Sequence, residues 1–568
     1  MWRTSRAGGC WSVWASAARA TCWPTRASAA TPTATRSGRT RTPTPCSTGS
    51  GCAECPPCGD TSARSVARNG SRSAGTAHRA SRCVASRVTL PSPGNRASTR
   101  GKRTRPGYPV AVEVVVRGPV VSSLSGYQRE PEFVTELKDG TIKQLNPFSG
   151  TEVWTVPGRG NRPLVTNLPP PVPLAPAEHG RHCAFCERRY LDTPPEKSRV
   201  IRHDDGNWET RYRVDAPELF DTVAEFRRVP NLFEILSYDY WHLNYGYELP
   251  ERVQARRTAY LASPAGREHV LSVVTAKLKA GGRTDAELDA MGTEAKLEAA
   301  SGFFGGGHDV IIARRHFVDG ATDNTQLAGS GTLSADEHYR FTDFTVESMT
   351  ALFGTNRYAR YLAVFQNWLR PAGASFDHLH KQLVAIDERG VQHEQAMQRL
   401  QLNPNIYNEF GVNYAAYHNL VIAESDHAIA FAGFGHRYPT IEIYSKSEAP
   451  DPWHHTPDEL RGMSDMIHAM HAATGVDVPC NEEWHYRPVD SDLPMPWRVM
   501  LKWRTSTVAG FEGATKIYLN TIGPTAIRDR IVPKLFALRD ERRIAGIRIA
   551  TECACRPNSL QYRANRTS

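Results

Sequence analysis

The composition of this 568-residue chain breaks near residue 110, and the break decides where a folded core can form. Residues 1–110 hold 18 Lys+Arg and two acids, Glu54 and Asp60, with no Ile, no Phe and one Leu, Leu90. A segment so poor in apolar side chains buries too little surface to offset the entropy of ordering it, so disorder is expected there. The segment carries +16 against +10 for the whole chain, so the remainder carries −6. The basic balance of the chain therefore says nothing about nucleic acid or membrane partners of the body.

Seven of the 12 cysteines also fall in this segment, with Cys52, Cys55 and Cys58 in a C-x2-C-x2-C run and Cys46 upstream. A zinc-dressed nucleic-acid arm and an Arg-rich organelle transit peptide are two readings. The favoured one is a GC-rich leader translated from a start codon placed too far upstream, with the natural protein beginning near residues 110–116. No aromatic–basic interleaving and no His at finger spacing accompany the cysteines, so nucleic acid is disfavoured as a partner.

Past about residue 130 the sequence is that of an ordinary folded enzyme. No run of 18 apolar residues occurs, so no transmembrane helix is expected. The Pro-rich residues 168–175 read as a linker or extended wrap. Thr284-Asp285-Ala286-Glu287 and Thr456-Pro457-Asp458-Glu459 are capping boxes, and Ser263-Pro264 opens another helix. Strand-like runs cover residues 309–313, 361–367, 378–385 and 440–444. Helices interleave with strands, which gives an α/β or α+β class. Sparse cysteines in the body (Cys183, Cys186, Cys480, Cys553 and Cys555) point to a reducing compartment, and a cytoplasmic location is expected.

Two constellations carry chemistry. Cys183-Ala184-Phe185-Cys186 is a knuckle from which two thiolates reach one Zn²⁺, although a redox pair or two unrelated cysteines give the same string. The second is Ser375-Phe376-Asp377-His378-Leu379-His380-Lys381-Gln382. On a strand, H-x-H-x-Q sets His378, His380 and Gln382 on one face. The small residues 371–375 let backbone amides and the Ser375 hydroxyl approach a phosphate. A neutral imidazole is both a nucleophile toward phosphorus and a metal ligand. The bland alternative is a polar strand face with two surface histidines. His427, His436, His454, His455, His468 and His471 read as surface or helix positions, the last two flanking the stripe Leu460, Met463, Ile467 and Met470.

Over residues 142–504 the chain resembles the galactose-1-phosphate uridylyltransferase family of the histidine-triad (HIT) superfamily. Four ordered places carry the resemblance: Asn146-Pro147-Phe148-Ser149-Gly150 with Trp154, Pro157, Arg159, Arg162 and Pro163; the Cys183/Cys186 knuckle; residues 309–316 (DVIIARRH); and Phe365-Gln366-Asn367 with residues 372–382. The resemblance implies an α+β fold of tandem HIT-like repeats, divided as residues 111–400, 401–550 and a tail, 551–568. The second repeat is degraded: Trp484-His485 matches, but residues 497–503 (WRVMLKW) contain no histidine.

It also implies a structural zinc held by Cys183, Cys186, His316 and His378, with His316 preferred over His308. His380 would be the nucleophile that becomes a nucleotidyl-histidine, with Gln382 and Ser375 on the phosphoryl oxygens. Arg159, Arg162, Asn231 and Asn367 would bind substrate, a nucleotide sugar and a sugar phosphate, with UMP as the group moved and a homodimer as the assembly; Lys381 is a further substrate-binding candidate that would contact a phosphate or else point to the opposite face. Lys381 stands where the family has Gly, Asp377 where it has Pro or another small residue, and Arg314-Arg315 shortens the corner before His316. Two other functions stay open: a HIT-type phosphorylase or hydrolase, and a non-catalytic scaffold with a nucleic-acid-binding arm.

Overall fold

The computed structural model describes residues 132–159, 164 and 170–563; the basic segment 1–110, Arg162 and Pro163 lie outside the described residues. In chain order the strands are β1 (Val134–Glu136), β2 (Ile142–Leu145), β3 (Glu152–Thr155), β4 (Ser198–Arg202), β5 (Trp208–Tyr212), β6 (Phe226–Pro230), β7 (His308–Ala313) and β8 (Tyr361–Trp368). They continue with β9 (His380–Ile386), β10 (Val421–Glu424), β11 (Ala428–Ala432), β12 (Thr440–Ser445), β13 (Cys480–His485), β14 (Arg498–Trp503), β15 (Ile517–Asn520) and β16 (Arg548–Ile549).

Twelve strands form one sheet in the order β16-β10-β11-β12-β14-β13-β8-β9-β7-β6-β4-β5, and β1-β2-β3-β15 form a second. The large sheet is antiparallel throughout. Strands from residues 198–386 fill one half and strands from residues 421–549 the other. They meet where Asn481 of β13 faces Asn367 of β8. The class is therefore mixed α+β, with the helices segregated rather than alternating around a parallel sheet.

One face of the large sheet is covered by the helices Ala335–Phe353, Pro457–Thr474 and Pro524–Asp540, which carry the main core. Strands such as β7 and β11 are buried along their whole length, hence their continuous apolar runs. The expected helix starts form as capped ends. Thr456 Oγ1 accepts from the Glu459 amide at 3.3 Å, and the Glu459 carboxylate accepts from the Thr456 amide at 2.8 Å. Thr284 caps the helix Asp285–Ala290 in the same way, and the Ser263 side chain caps Pro264–Ala280 by accepting from the Gly266 amide.

The Pro457–Thr474 helix corrects one expectation. His468 and His471 are buried, not surface, because this helix is wedged between the sheet and two other helices. Each finds a partner there: the Leu333 carbonyl at 2.7 Å from His468 Nε2, and the Glu482 carboxylate at 2.7 Å from His471 Nε2. Among the described residues no helix is long and apolar enough to cross a membrane.

Removing the cap in Thr456→Ala is expected to lower stability by about 1 kcal/mol, read as a shift of the urea midpoint with an unchanged slope.

Candidate active site and metal centre

Four side chains from three distant segments converge beside the N-terminal end of β9. Cys183 Sγ lies 3.8 Å from Cys186 Sγ and 3.4 Å from both His316 Nδ1 and His378 Nδ1. Cys186 Sγ lies 3.8 Å from each of the same imidazole nitrogens. All four donor atoms fall within 4.8 Å of one another, a set able to hold one metal ion. His378 Nε2 donates to the Ala313 carbonyl at 2.6 Å, which leaves Nδ1 unprotonated and aimed at the thiols.

The protonation states report the same fit. Contact with Cys183 and then the two imidazoles hold the Cys186 thiol far below its usual range. Burial and the Cys186 contact push Cys183 up. A divalent cation removes that conflict by taking both as thiolates. Burial also lowers His316 to about 4, so its imidazole is neutral and free to ligate.

His308, the competing candidate, is elsewhere. Its Nδ1 accepts from the Ile235 amide at 3.2 Å, and its Nε2 donates to Gln382 Oε1 at 3.0 Å. Asn231 Nδ2 also reaches Gln382 Oε1, at 3.4 Å. With its carbonyl so engaged, Gln382 turns its –NH₂ donors to the adjacent cleft. In the sequence His308 is a candidate metal ligand only; its place as orienter of Gln382 appears from the register that sets it beside β9.

The cleft has a volume of about 410 Å³ and is lined by His380, Gln382, Ser375, Phe376, Asn231 and Phe185 among others. His380 is nearly buried, and its Nδ1–H donates to the His378 carbonyl at 2.7 Å. The Nε2 lone pair is thereby left for a ligand. Burial lowers this imidazole to about 4, so it is the neutral, nucleophilic form. Phe185, inside the cysteine knuckle, sets its ring 5.3 Å from that of His380 and 4.6 Å from that of Phe376. The knuckle therefore packs directly against the candidate nucleophile, a link that the C-x2-C spacing alone does not reveal.

Ser375 stands in the loop between β8 and β9, where Leu369 and Gly373 take φ of +65° and +91°. Glycine carries the second at no steric cost; Leu369 carries the first as local strain beside the cleft.

Several expected residues fall differently. The strand begins at His380, and His378 sits in the bend before it, so His378 does not share a strand face with His380 and Gln382. The bond to Ala313 takes His378 out of the ladder. Lys381 is corrected outright. Strand alternation turns it to the helix-covered face, where it is fully buried and its Nζ lies 2.5 Å from Glu482 Oε1. Asn367 does not line the cleft; its Oδ1 accepts from Asn481 Nδ2 at 2.7 Å, and Asn481 also donates to the Ala372 carbonyl at 2.8 Å. It braces the loop rather than touching ligand space. Arg159 is exposed in the turn after β3 and is not part of the cleft wall. Glu234, unremarked in the sequence, lines the cleft with a buried carboxylate oxygen that has no partner, and burial pushes it up to about 7.

A family model described as Domain of unknown function (DUF4921) matches residues 137–562. The chain belongs to the DUF4921 family. It is also 31% identical over 176 residues to the ADP-glucose phosphorylase of Arabidopsis thaliana, a match covering 29% of this chain and 49% of that protein. The chain thus spans about half the length of the curated relative it matches.

Among solved structures, the DUF4921 chain is similar to the crystal structure of an Arabidopsis thaliana ADP-glucose phosphorylase with bound ADP-glucose (20% identity, TM-score 0.44, 69% of this chain and 98% of that one). It is similar as well to a GALT-like protein of Arabidopsis thaliana (18% identity, TM-score 0.43, 69% and 98%).

Two variants separate the metal centre from the cleft. An ion held by these four donors is expected to be lost in Cys186→Ala, because a buried site with three ligands keeps an open, exchangeable position. His308→Ala is expected to keep the metal and to lower turnover by about 10–100-fold through misplaced Gln382. Elemental analysis of metal per chain after dialysis, beside kcat, checks both.

Proposed function

We propose that this protein is a nucleotidyltransferase that moves a nucleoside monophosphate from a nucleotide sugar to a phosphate acceptor by way of a covalent nucleotidyl-His380. The observation that carries the reading is the free Nε2 of His380, fixed by the Nδ1–H bond to the His378 carbonyl and facing a cleft shared with Gln382 and Ser375. In the first step Nε2 forms a bond to the α-phosphorus, and the bond from that phosphorus to the bridging oxygen breaks. Sugar 1-phosphate leaves with the bridging oxygen and its electron pair. In the second step an acceptor phosphate oxygen bonds to the same phosphorus and the P–N bond breaks, returning neutral His380. The Gln382 amide and Ser375 hydroxyl donate to the phosphoryl oxygens as charge redistributes. Asn231 and the neighbouring wall of residues 229–235 hold the nucleoside end.

Zinc is the ion proposed for Cys183, Cys186, His316 and His378. Tetrahedral Zn–S bonds of about 2.3 Å place two sulfurs about 3.8 Å apart, and the two Sγ atoms stand 3.8 Å apart. The ion would supply a structural cross-link beside the cleft. The two six-strand halves of the sheet are read as tandem HIT-like units, with the catalytic groups in the first. A homodimer is the assembly that the resemblance implies, and the sparse cysteines of the body point to a cytoplasmic setting.

The acceptor is proposed to be inorganic phosphate, making the protein a nucleotide-sugar phosphorylase, because the matched relative bears that name. Transfer of UMP to a hexose 1-phosphate is the second reading, from the motif resemblance.

Intact mass of wild type and His380→Ala after incubation with ADP-glucose, UDP-glucose and GDP-sugars, without acceptor, tests the mechanism. An adduct of one nucleoside monophosphate on wild type alone is expected, and its mass names the base. Release of that adduct by phosphate, as a nucleoside diphosphate, or by hexose 1-phosphate then separates the two acceptors. No adduct from any donor in metal-loaded, folded protein would remove His380 as nucleophile.

A further inference from the structure

A second cavity, of about 390 Å³, opens in the other half of the large sheet. It lies on the same face as the cleft but is separate from it. The registers Phe365↔Gln382, Asn481↔Asn367 and Asn481↔Lys502 align His380, Asn367, Asn481 and Lys502 in one row across four strands. At about 4.8 Å per strand, Lys502 stands roughly 14 Å from His380.

The lining is markedly cationic. Arg437, Arg498, Lys502 and Arg504 all contribute. Of these, Lys502 alone is paired, with Glu483. Among the described residues, no carboxylate lies within ion-pair distance of the three arginines. Glu442, the other nearby acid, already accepts from the Tyr444 hydroxyl at 2.7 Å and faces His436 Nε2 at 2.8 Å.

The arginines are nonetheless held in place. Arg437 and Arg504 lie over the ring of Tyr438 at 5.0 and 4.6 Å. Arg504 donates from Nη1 to Asn481 Oδ1 at 2.7 Å. Arg498 is 3% exposed, lies 4.5 Å over the Tyr407 ring, and has no partner for its Nε–H. Arg504 Nε and the buried His393 Nε2 are likewise without partners. Guanidinium groups stacked on rings, with the Nε–H donors of Arg498 and Arg504 unspent and no carboxylate within ion-pair distance, are suited to bidentate capture of an anion. Arg498 is buried without a carboxylate at ion-pair distance, a costly state that a bound anion relieves, while Arg437 is exposed and Arg504 half-buried.

The cavity also accounts for a motif that the cleft leaves unused. In Asn146-Pro147-Phe148-Ser149-Gly150, the Asn146 side-chain oxygen accepts from the Phe148 and Ser149 amides at 3.0 and 2.9 Å. That turn sets Phe148 and Ser149 into the wall of the second cavity rather than into the cleft.

We propose that the second cavity is a binding site for a phosphate-bearing small molecule, held by Arg437, Arg498 and Arg504. It is a binding site and not a second catalytic centre, because β14 carries Arg498, Met500 and Lys502 on this face and no imidazole stands where His380 stands on β9. Its volume suits a metabolite rather than a macromolecule.

The test uses the full, metal-loaded chain and radiolabelled pyrophosphate in equilibrium dialysis. Arg437→Gln/Arg504→Gln is expected to lose one bound pyrophosphate per chain relative to wild type, or to weaken it at least tenfold, while metal content is unchanged. This difference is read whether or not the cleft itself takes up pyrophosphate, so failure of the proposed catalytic reading leaves it intact. In wild type, pyrophosphate is expected to slow phenylglyoxal modification of Arg437 and Arg504 at least fivefold, by peptide mass spectrometry. Unchanged stoichiometry and affinity in the double variant, or unprotected arginines at saturating pyrophosphate in a case where the variant does not fold, would overturn the proposal.

Discussion

The convergence of Cys183, Cys186, His316 and His378 on one point is the constraint from which the rest of the site follows. The Cys186 end of the knuckle lies 130 residues before His316, and His316 lies 62 before His378; a chain gains most from a cross-link that closes long loops. The link does more than hold segments together. His378 donates to Ala313 at the end of β7, its own carbonyl accepts from His380, and the Ala313 amide in turn donates to Leu379. One short relay therefore fixes the strand pairing, the metal-facing nitrogen of one histidine and the ligand-facing nitrogen of the next. Phe185 closes the arrangement from the knuckle side, so a disturbance at either cysteine reaches the His380 ring by direct packing.

Strand β9 works on both faces. Its cleft face offers His380 and Gln382; its other face buries Lys381 against Glu482, which also takes His471 Nε2 and the Trp484 indole N–H. An ammonium in such a place is tolerated only with a partner of this kind, and breaking a buried pair one-sidedly costs about 3–5 kcal/mol. Glu482 lies on β13 and His471 on the Pro457–Thr474 helix, both from the second half of the sheet. The candidate catalytic strand is thus clamped electrostatically by the half that carries no nucleophile. That residues 497–503 (WRVMLKW) hold no histidine does not make that half dispensable, because it holds Lys381 of β9 in place.

What could be read from the sequence follows the range of the interaction involved. Caps at Ser263, Thr284 and Thr456, and the runs that became β7, β8, β9 and β12, depend on neighbours a few residues away, and a linear string displays them. The H-x-H-x-Q string is local too, but its face assignment is not. Where the strand begins was decided by a carbonyl 65 residues upstream, and that contact takes His378 out of the alternation. The same holds for Lys381, whose direction follows from strand parity only once the start of β9 is fixed.

Pairings with no local signal stayed hidden altogether. The parallel match of β15 to β3 joins Ile517 to Glu152, and neither short strand has enough alternation to announce it. His468 and His471 read as flanking positions because a helix wheel assumes a broad wet side, whereas here a narrow stripe through Asp458, Arg461, Gly462 and Asp465 reaches solvent. Asn367 shows the same limit in reverse. Its place in a motif beside the nucleophile suggested ligand contact, yet the sheet register sets it against Asn481, and the amide pair spends itself bracing the loop that presents Ser375. Chemistry-bearing residue types are visible in the string; which of them face ligand, and which hold those that do, is set by register between strands far apart in sequence.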